Sequence, residues 1–275
     1  MSKLSTAYRA LGFAASPFSI TPDTAFFFPG AQHVAALRHL SFGLASGGVT
    51  VLTGEVGLGK TLLCRQVLRG AAEDTRIAYV LDPLQTYQGM LASLIREFTG
   101  QDSVETDAGA LLRELQAVVL ELARGGVRSV IMVDEAHRLT TELLEGLRML
   151  TNLETEKSRL VSLVLVGQPE LERTLAMRAM RPLAQRVSVR CRLTPFSASQ
   201  TAHYVRHRLR VASSDHAMEF TGMALRWVHH ASRGAPRRIN QICDRAVLLA
   251  FAESRLYVNT WMALRAAREV KGSWL

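Results

Sequence analysis

Nowhere in its 275 residues does the chain approach ~18 uninterrupted apolar positions, so no membrane-spanning helix is expected. Cysteine is scarce. Cys64, Cys191 and Cys243 are odd in number, far apart and without metal-ligand spacing, which speaks against a disulfide framework or a zinc site. Reduced thiols in the cytoplasm are the expectation. No secretory leader is expected either: the apolar run around Lys3 is short, and Arg9 argues against one. There is no lysine-rich tail, no zinc-finger spacing, no aromatic RNA-recognition pattern, no internal repeat and no low-complexity segment.

An apolar content of 48% with 21% charged residues is ordinary for a globular protein, and the length suits one large α/β domain plus a small accessory domain. The formal net charge is +9. Much of the excess lies in the second half, in Arg178, Arg181, Arg186, Arg190, Arg192, Arg206, Arg208, Arg210, Arg233, Arg237, Arg238 and Arg245. A basic surface of this kind serves a nucleic acid, an anionic membrane face, an acidic partner or a bound nucleotide, or is simply solvated.

The run Gly54-Glu55-Val56-Gly57-Leu58-Gly59-Lys60-Thr61 fits the phosphate-binding pattern G-x-x-x-x-G-K-[ST]. Its flanks give the pattern physical meaning. Val49–Thr53 is β-branched and apolar like a buried strand, and Leu62–Leu68 repeats apolar positions at helical spacing. Strand, glycine loop and helix N-terminus together aim backbone N–H groups at an anion. Lys60 would reach the β- and γ-phosphates and Thr61 would ligate Mg²⁺, while Gly54 to Leu62 would line the nucleotide.

Val130–Val133 reads as a buried strand ending in Asp134-Glu135. In a parallel sheet such an end lies on the same edge as the phosphate loop. Asp134 is suited to hold Mg²⁺ and Glu135 to act as general base on the attacking water. Asp134-Glu135-Ala136-His137 also spells a helicase label, but a second helicase core would need far more chain; His137 reads as a structural or nucleotide-sensing neighbour. A second strand, Leu160–Val166, leads through Gly167 to Gln168. If it lies between the other two, Gln168 orients the lytic water or reports on the γ-phosphate; the plainer role is a strand cap. Arg186 is a candidate for stabilising charge in a neighbouring subunit's site, with Arg181 its competitor. Pro236 opens a helix whose Arg237, in preference to Arg238, would reach the γ-phosphate.

Coarse periodicity adds a strand at Ile77–Leu81, helices at Met90–Phe98, Ala108–Ala123 and Glu142–Thr151, and an edge strand at Val187–Leu193 with a basic outward face. Repeated βα units predict a parallel sheet between helical layers. Thr194-Pro195-Phe196-Ser197 ends the alternation, and helical periodicity follows, with only Leu256–Val258 resembling a strand. The predicted division is an N-terminal segment (1–45) packing on the core, a core (46–195) and a helical lid (196–275).

Taken together, these motifs resemble the AAA+ ATPases and, within them, the general secretion pathway protein A (ExeA-like) family, which includes ATPases of mannose-sensitive haemagglutinin pilus biogenesis. The resemblance rests on Tyr8–Phe13, Pro17–Asp23, Phe26–Phe28, His33–Leu40, Thr53–Thr61, Val133–His137, Gly167–Leu171, Leu183–Arg186 and Gly234–Asp244. It implies a three-layer α/β/α P-loop NTPase core with strand order 5-1-4-3-2 and an all-helical lid. It also implies ATP and Mg²⁺ as cofactors, assembly into a homo-oligomeric ring or filament, and Gln168, Arg186 and Arg237 as sensor 1, arginine finger and sensor 2. Pilus or secretion assembly proteins would be the partners, and the place of action the cytoplasm or the inner face of the membrane. Larger relatives continue into a transmembrane and peptidoglycan-binding region, so a chain ending at Leu275 is expected to be of the short pilus type. Leu58 and Leu62 stand where small or hydroxyl residues are frequent. A rival class with the same core is the DNA-binding regulator of the transposition type.

Overall fold

The computed structural model describes residues 8–9, 11–82, 86–154, 159–213 and 218–272. These form two compact units: Val34–Val56 with Leu63–Leu193, and residues up to His33 with Gly57–Leu62 and those from Thr194 onward.

The first of these units is built on a five-stranded sheet of order β2-β3-β4-β1-β5. Its strands are β1 (Val49–Thr53), β2 (Thr75–Val80), β3 (Arg128–Val133), β4 (Val161–Gly167) and β5 (Val187–Arg192). Every neighbouring pair is parallel, and the order is the one implied by the resemblance. All residues of β1 and β4 are buried, the signature of a sheet covered on both faces. Along each strand the faces alternate. Val49, Val51, Ile131, Val133, Leu163 and Leu165 join a cluster with α3 (Tyr87–Thr99), α4 (Ala108–Arg124) and α5 (Thr141–Leu150). Burying each such leucine contributes about 1.5–3 kcal/mol before entropy is counted. The opposite face meets α1 (Ala31–Ser46), where Ser162 donates to the Leu44 carbonyl at 3.2 Å. Helix α2 (Lys60–Arg69) follows the phosphate loop, and the short helices α6 (Glu170–Ala176) and α7 (Arg181–Ala184) follow β4. On β5 only alternate residues are partly buried, leaving Ser188, Arg190 and Arg192 exposed along the sheet edge, as its pattern predicts.

Local signals set the helix ends. Thr86, Asp107 and Thr140 accept hydrogen bonds from backbone N–H groups in the first turns of α3, α4 and α5. In the second unit α8 (Ala198–Ala212) starts with a complete capping box, Ser197 with Gln200. Helix α9 (Gly222–Ser232) is capped by Thr221, α10 (Pro236–Ala252) opens on its proline, and α11 (Thr260–Gly272) closes the bundle.

Three features depart from the sequence reading. The first is the front of the N-terminal segment (1–45), expected to pack on the core as its last part, α1, does. Tyr8, Leu11, Phe13, Phe18 and Phe26 instead join the apolar cluster of α8–α11. The segment is held there by polar contacts as well: Arg208 donates to the carbonyls of Pro17 and Ser19. Second, Arg208 itself, counted among the surface arginines, is 5% exposed and lies 4.5 Å from the Phe26 ring centroid. Third, the stretch that resembled a strand does form one, β7 (Tyr257–Val258), but it pairs with an unexpected two-residue strand β6 (Glu219–Phe220), too short to show periodicity.

A part-buried pair also ties the segment to α10: the Tyr8 hydroxyl donates to Asp244 Oδ1. Burial raises the Asp244 carboxyl above its ordinary 3.8, against the lowering effects of Tyr8 and Arg245. The folded state therefore holds this proton more tightly than the unfolded one, and stability falls as pH rises above 3.8 towards the folded value. Asp244→Asn keeps the acceptor and removes the charge. Its melting temperature should gain on wild type near neutrality and lose that advantage in acid; a constant offset across a pH series of thermal melts would refute the assignment.

Candidate nucleotide site

The phosphate loop leaves β1 at the carboxyl edge of the sheet. There Gly54 N–H donates to the Gly167 carbonyl at 3.2 Å, fastening the loop's first residue to the end of β4. Gly57 and Gly59 take φ of +80° and +93°, a region closed to most L residues, so the backbone turns its N–H groups in one direction before α2 begins at Lys60. An added Cβ on Gly57 would lie 2.7 Å from Arg237 Cβ, and Arg237 N–H donates to the Gly57 carbonyl at 3.1 Å. The first turn of α10 thus touches the loop at the arginine singled out from sequence. Arg237 and its neighbour Arg238 are both exposed. Glu55 is exposed and Val56 is 55% exposed, Leu58 is buried, Lys60 is 6% exposed, and Thr61 and Leu62 are half-buried.

Glu135 and Asp134 follow β3 on the same edge. Asp134 is 1% exposed; its Oδ1 accepts from Glu135 N–H at 2.8 Å and its Oδ2 from the Tyr79 hydroxyl at 3.2 Å. Burial raises the Tyr79 hydroxyl far above its usual range, with the Cys64 and Asp134 charges adding, so it stays a donor. Glu135 adopts φ +51°, which turns the chain into a short 3-10 helix, Ala136–Arg138. Strand β4 does lie between β1 and β3, which brings Gln168 to the same edge. His137 meets both neighbours there: its Nε2 is 2.9 Å from Gln168 Nε2 and its Nδ1 is 3.3 Å from Glu135 Oε2. Thr53, at the end of β1, donates to Glu172.

Arg186 stands apart from this edge. It precedes β5, at the amino edge, and donates to Thr151 Oγ1 at 2.8 Å. Six residues of strand separate it from the carboxyl edge, roughly 20 Å at ~3.3 Å per residue. Arg181, its competitor, is exposed at the start of α7.

One residue the motif reading did not single out is His33. It is 6% exposed, and its Nε2–H donates to the Leu58 carbonyl of the phosphate loop at 3.2 Å. Its Nδ1 is buried without a partner, and the ring lies among Phe27 and Phe196. No spacing rule links a histidine before a strand to a loop after it; only its place in an aromatic-rich run hints at burial.

A family model described as an AAA domain matches residues 44–175. Over 265 residues the chain is 43% identical to general secretion pathway protein A of Aeromonas hydrophila, an alignment covering 95% of this chain and 48% of that protein. The chain therefore spans about half the length of the curated relative it matches. Among solved structures, ORC2 of Aeropyrum pernix superposes with a TM-score of 0.69 at 18% identity, over 94% of this chain and 72% of that one. Cdc6p of Pyrobaculum aerophilum gives 0.67 at 16%, over 88% and 67%, and the RuvB branch-migration motor of Thermotoga maritima 0.59 at 19%, over 88% and 70%. At such identities these likenesses speak to fold alone.

Fold and site together define an AAA+ protein of the P-loop NTPase type, a nucleotide-binding architecture. Across the aligned region the chain is similar to general secretion pathway protein A, and residues 44–175 carry the AAA domain.

The His33 contact generates a pH prediction. Burial lowers its pKa below the ordinary 6.5, because a proton on Nδ1 would be an unpaired buried charge. The unfolded chain then binds more protons, so the stability this group contributes is complete above 6.5 and is lost as pH falls below it. In His33→Gln that acid-side loss should shrink, as read from melting temperatures between neutral and mildly acid buffers. Equal pH slopes in variant and wild type would remove His33 from the account.

Proposed function

We propose that the chain is the Mg²⁺-dependent, ATP-hydrolysing part of a machine that assembles a type IV pilus or a type II secretion-like apparatus. The observation that carries the catalytic half is the shared sheet edge: β1 runs into the phosphate loop there, and β3 ends there in Asp134-Glu135. The assembly half rests on the likeness to general secretion pathway protein A.

In this reading Gly54 to Leu62 enclose the phosphates with backbone N–H groups, and Lys60 offsets charge on the β- and γ-phosphates. The loop residues fit such an anion, since the positive φ of Gly57 and Gly59 turns backbone N–H groups in one direction and Lys60, buried, follows them in the chain. Thr61 and Asp134 supply the hydroxyl and carboxylate oxygens that suit Mg²⁺, which when bound would neutralise phosphate charge. Glu135 takes the proton of the attacking water, and Gln168 orients that water or senses the γ-phosphate. Arg237 contributes from the first turn of α10. Arg186, at the opposite sheet edge, serves the site of a second copy rather than its own, which requires a homo-oligomer; the exposed Arg181 is the other candidate.

Phosphate release by wild type, Lys60→Ala and Glu135→Gln tests the assignment. Loss of the charge-assisted contacts of Lys60 should weaken nucleotide affinity by roughly 10–100-fold. Loss of the base should leave affinity intact and lower turnover by about 10²–10⁴-fold. Equal turnover in all three proteins would overturn the hydrolytic role. Mass in solution with and without ATP, in wild type and Arg186→Ala, should show ATP-favoured assembly in both and impaired hydrolysis only in the variant.

A second reading, a DNA-binding regulator, draws on one observation: Arg190 and Arg192 line the exposed face of the edge strand, while Arg206, Arg210, Arg237 and Arg238 are exposed in the helical unit. A phosphate-contacting surface would lose DNA affinity steeply and log-linearly with salt, whereas an assembly ATPase should show only weak retention at low salt.

A further inference from the structure

His137 is the only group among the described contacts that touches both Glu135 and Gln168. Its ring is 14% exposed, against 38% for the Glu135 side chain, so its position is set by packing rather than by solvent. Close approach at the end of β4 makes this possible. A Cβ on Gly167 would stand 3.1 Å from the His137 backbone nitrogen, tighter than ordinary contact, so a glycine there lets the 3-10 turn lie against the strand end.

The ring nitrogens have three neighbours. Gln168 Nε2 lies 2.9 Å from Nε2; Glu135 Oε2 at 3.3 Å and Gln168 N–H at 3.4 Å both face Nδ1. With the ring proton on Nδ1, that N–H donates to the Glu135 carboxylate, and Nε2 accepts from the Gln168 side-chain amide. The other tautomer sets the ring N–H against the amide NH₂ and leaves the carboxylate facing a lone pair, unless the Gln168 amide turns over. In that arrangement Nδ1 accepts from Gln168 N–H and Glu135 is released. The orientation of the Gln168 amide and the tethering of Glu135 are thus two ends of one hydrogen-bonded unit.

We propose that His137 is a positioning residue that couples Gln168 to Glu135, so that a phosphate engaging the Gln168 amide changes the hold on the general base. The proposal rests on the hydrolytic reading above for its consequence and on the geometry alone for its existence. It makes no demand on which residue binds metal.

Two experiments on the full chain separate these levels. The first needs no turnover. In ¹⁵N-histidine-labelled protein, the His137 signals, assigned by their loss in His137→Ala, should report the Nδ1–H tautomer. They should move towards the other tautomer, or to an averaged position, in both Glu135→Gln and Gln168→Ala. An Nε2–H ring indifferent to either substitution overturns the proposal, whatever the protein hydrolyses.

The second reads ATP turnover. His137→Asn keeps a nitrogen near Nδ1 only, and His137→Gln keeps one near Nε2 only. Each, like His137→Ala, should lower turnover on the order of 10–10²-fold, as misplacement of a catalytic group does, with nucleotide affinity and melting temperature close to wild type. His137→Ala combined with Gln168→Ala should be no slower than the slower single variant. Multiplicative losses, or wild-type turnover in His137→Ala, refute the coupling. If wild type itself shows no turnover above Glu135→Gln, the hydrolytic reading fails while the first experiment still decides the bridge.

Discussion

Parallel hydrogen bonding of β4 to β1 on one side and β3 on the other constrains everything else about the site. Register pairs Thr53 with Gly167 and Val133 with Leu165, so the three strands end within a residue or two of each other. A one-residue slip would turn Leu163 and Leu165 out of the apolar cluster and onto the opposite face, which is also covered, so that both layers would have to repack. The cost of that error is misfit in two packed layers, overfilled on one face and underfilled on the other, at about 1–3 kcal/mol for each misplaced side chain, which together exceeds a single polar contact at the edge. The edge residues are therefore placed by the core beneath them. Their chemistry is carried on a frame whose stability does not depend on it.

That separation explains why polar groups can be buried at the edge. Asp134 is almost wholly enclosed, yet the Tyr79 hydroxyl and the Glu135 N–H both point at it. Glu135, by contrast, takes a left-handed conformation that ends the strand and lifts its carboxylate partly into solvent. Adjacent acids thus receive opposite environments from one backbone turn: the first held by donors, the second free to be tethered or released. Such a difference is what a cation ligand and a proton acceptor respectively require.

Legibility in the sequence followed the range of the interaction. The phosphate loop and the Asp134-Glu135 strand end were readable because strand, loop and helix signals are contiguous, and the sheet order agreed with what the family resemblance implied. Position of β4 between β1 and β3 turned Gln168 from a conditional candidate into an edge residue. The front of the N-terminal segment was misread because apolarity says that Phe13, Phe18 and Phe26 are buried, not against what; the partners Arg208 and Asp244 lie far along the chain. Arg208 was misread for the same reason, since charge predicts exposure until two carbonyls and an aromatic ring enclose it. The His137 bridge depends on strand register and on a glycine's missing side chain, neither of which any local pattern encodes.

Arginine placement carries the argument beyond one chain. Arg237 is joined through its backbone to the loop that would hold the phosphates, so its guanidinium has a short route to them. Arg186 has no such route: a parallel strand runs between it and the carboxyl edge, and Thr151 holds it at the other end. A side chain reaches about 7 Å at most, far less than the ~20 Å length of β5. Under the proposed hydrolytic function, Arg186 has work only if another copy presents its carboxyl edge, whereas Arg237 acts within its own chain. Under that proposal one arginine would act from the helical unit of its own chain and the other, at the amino edge of the sheet, on a second copy, so the two would carry separate signals.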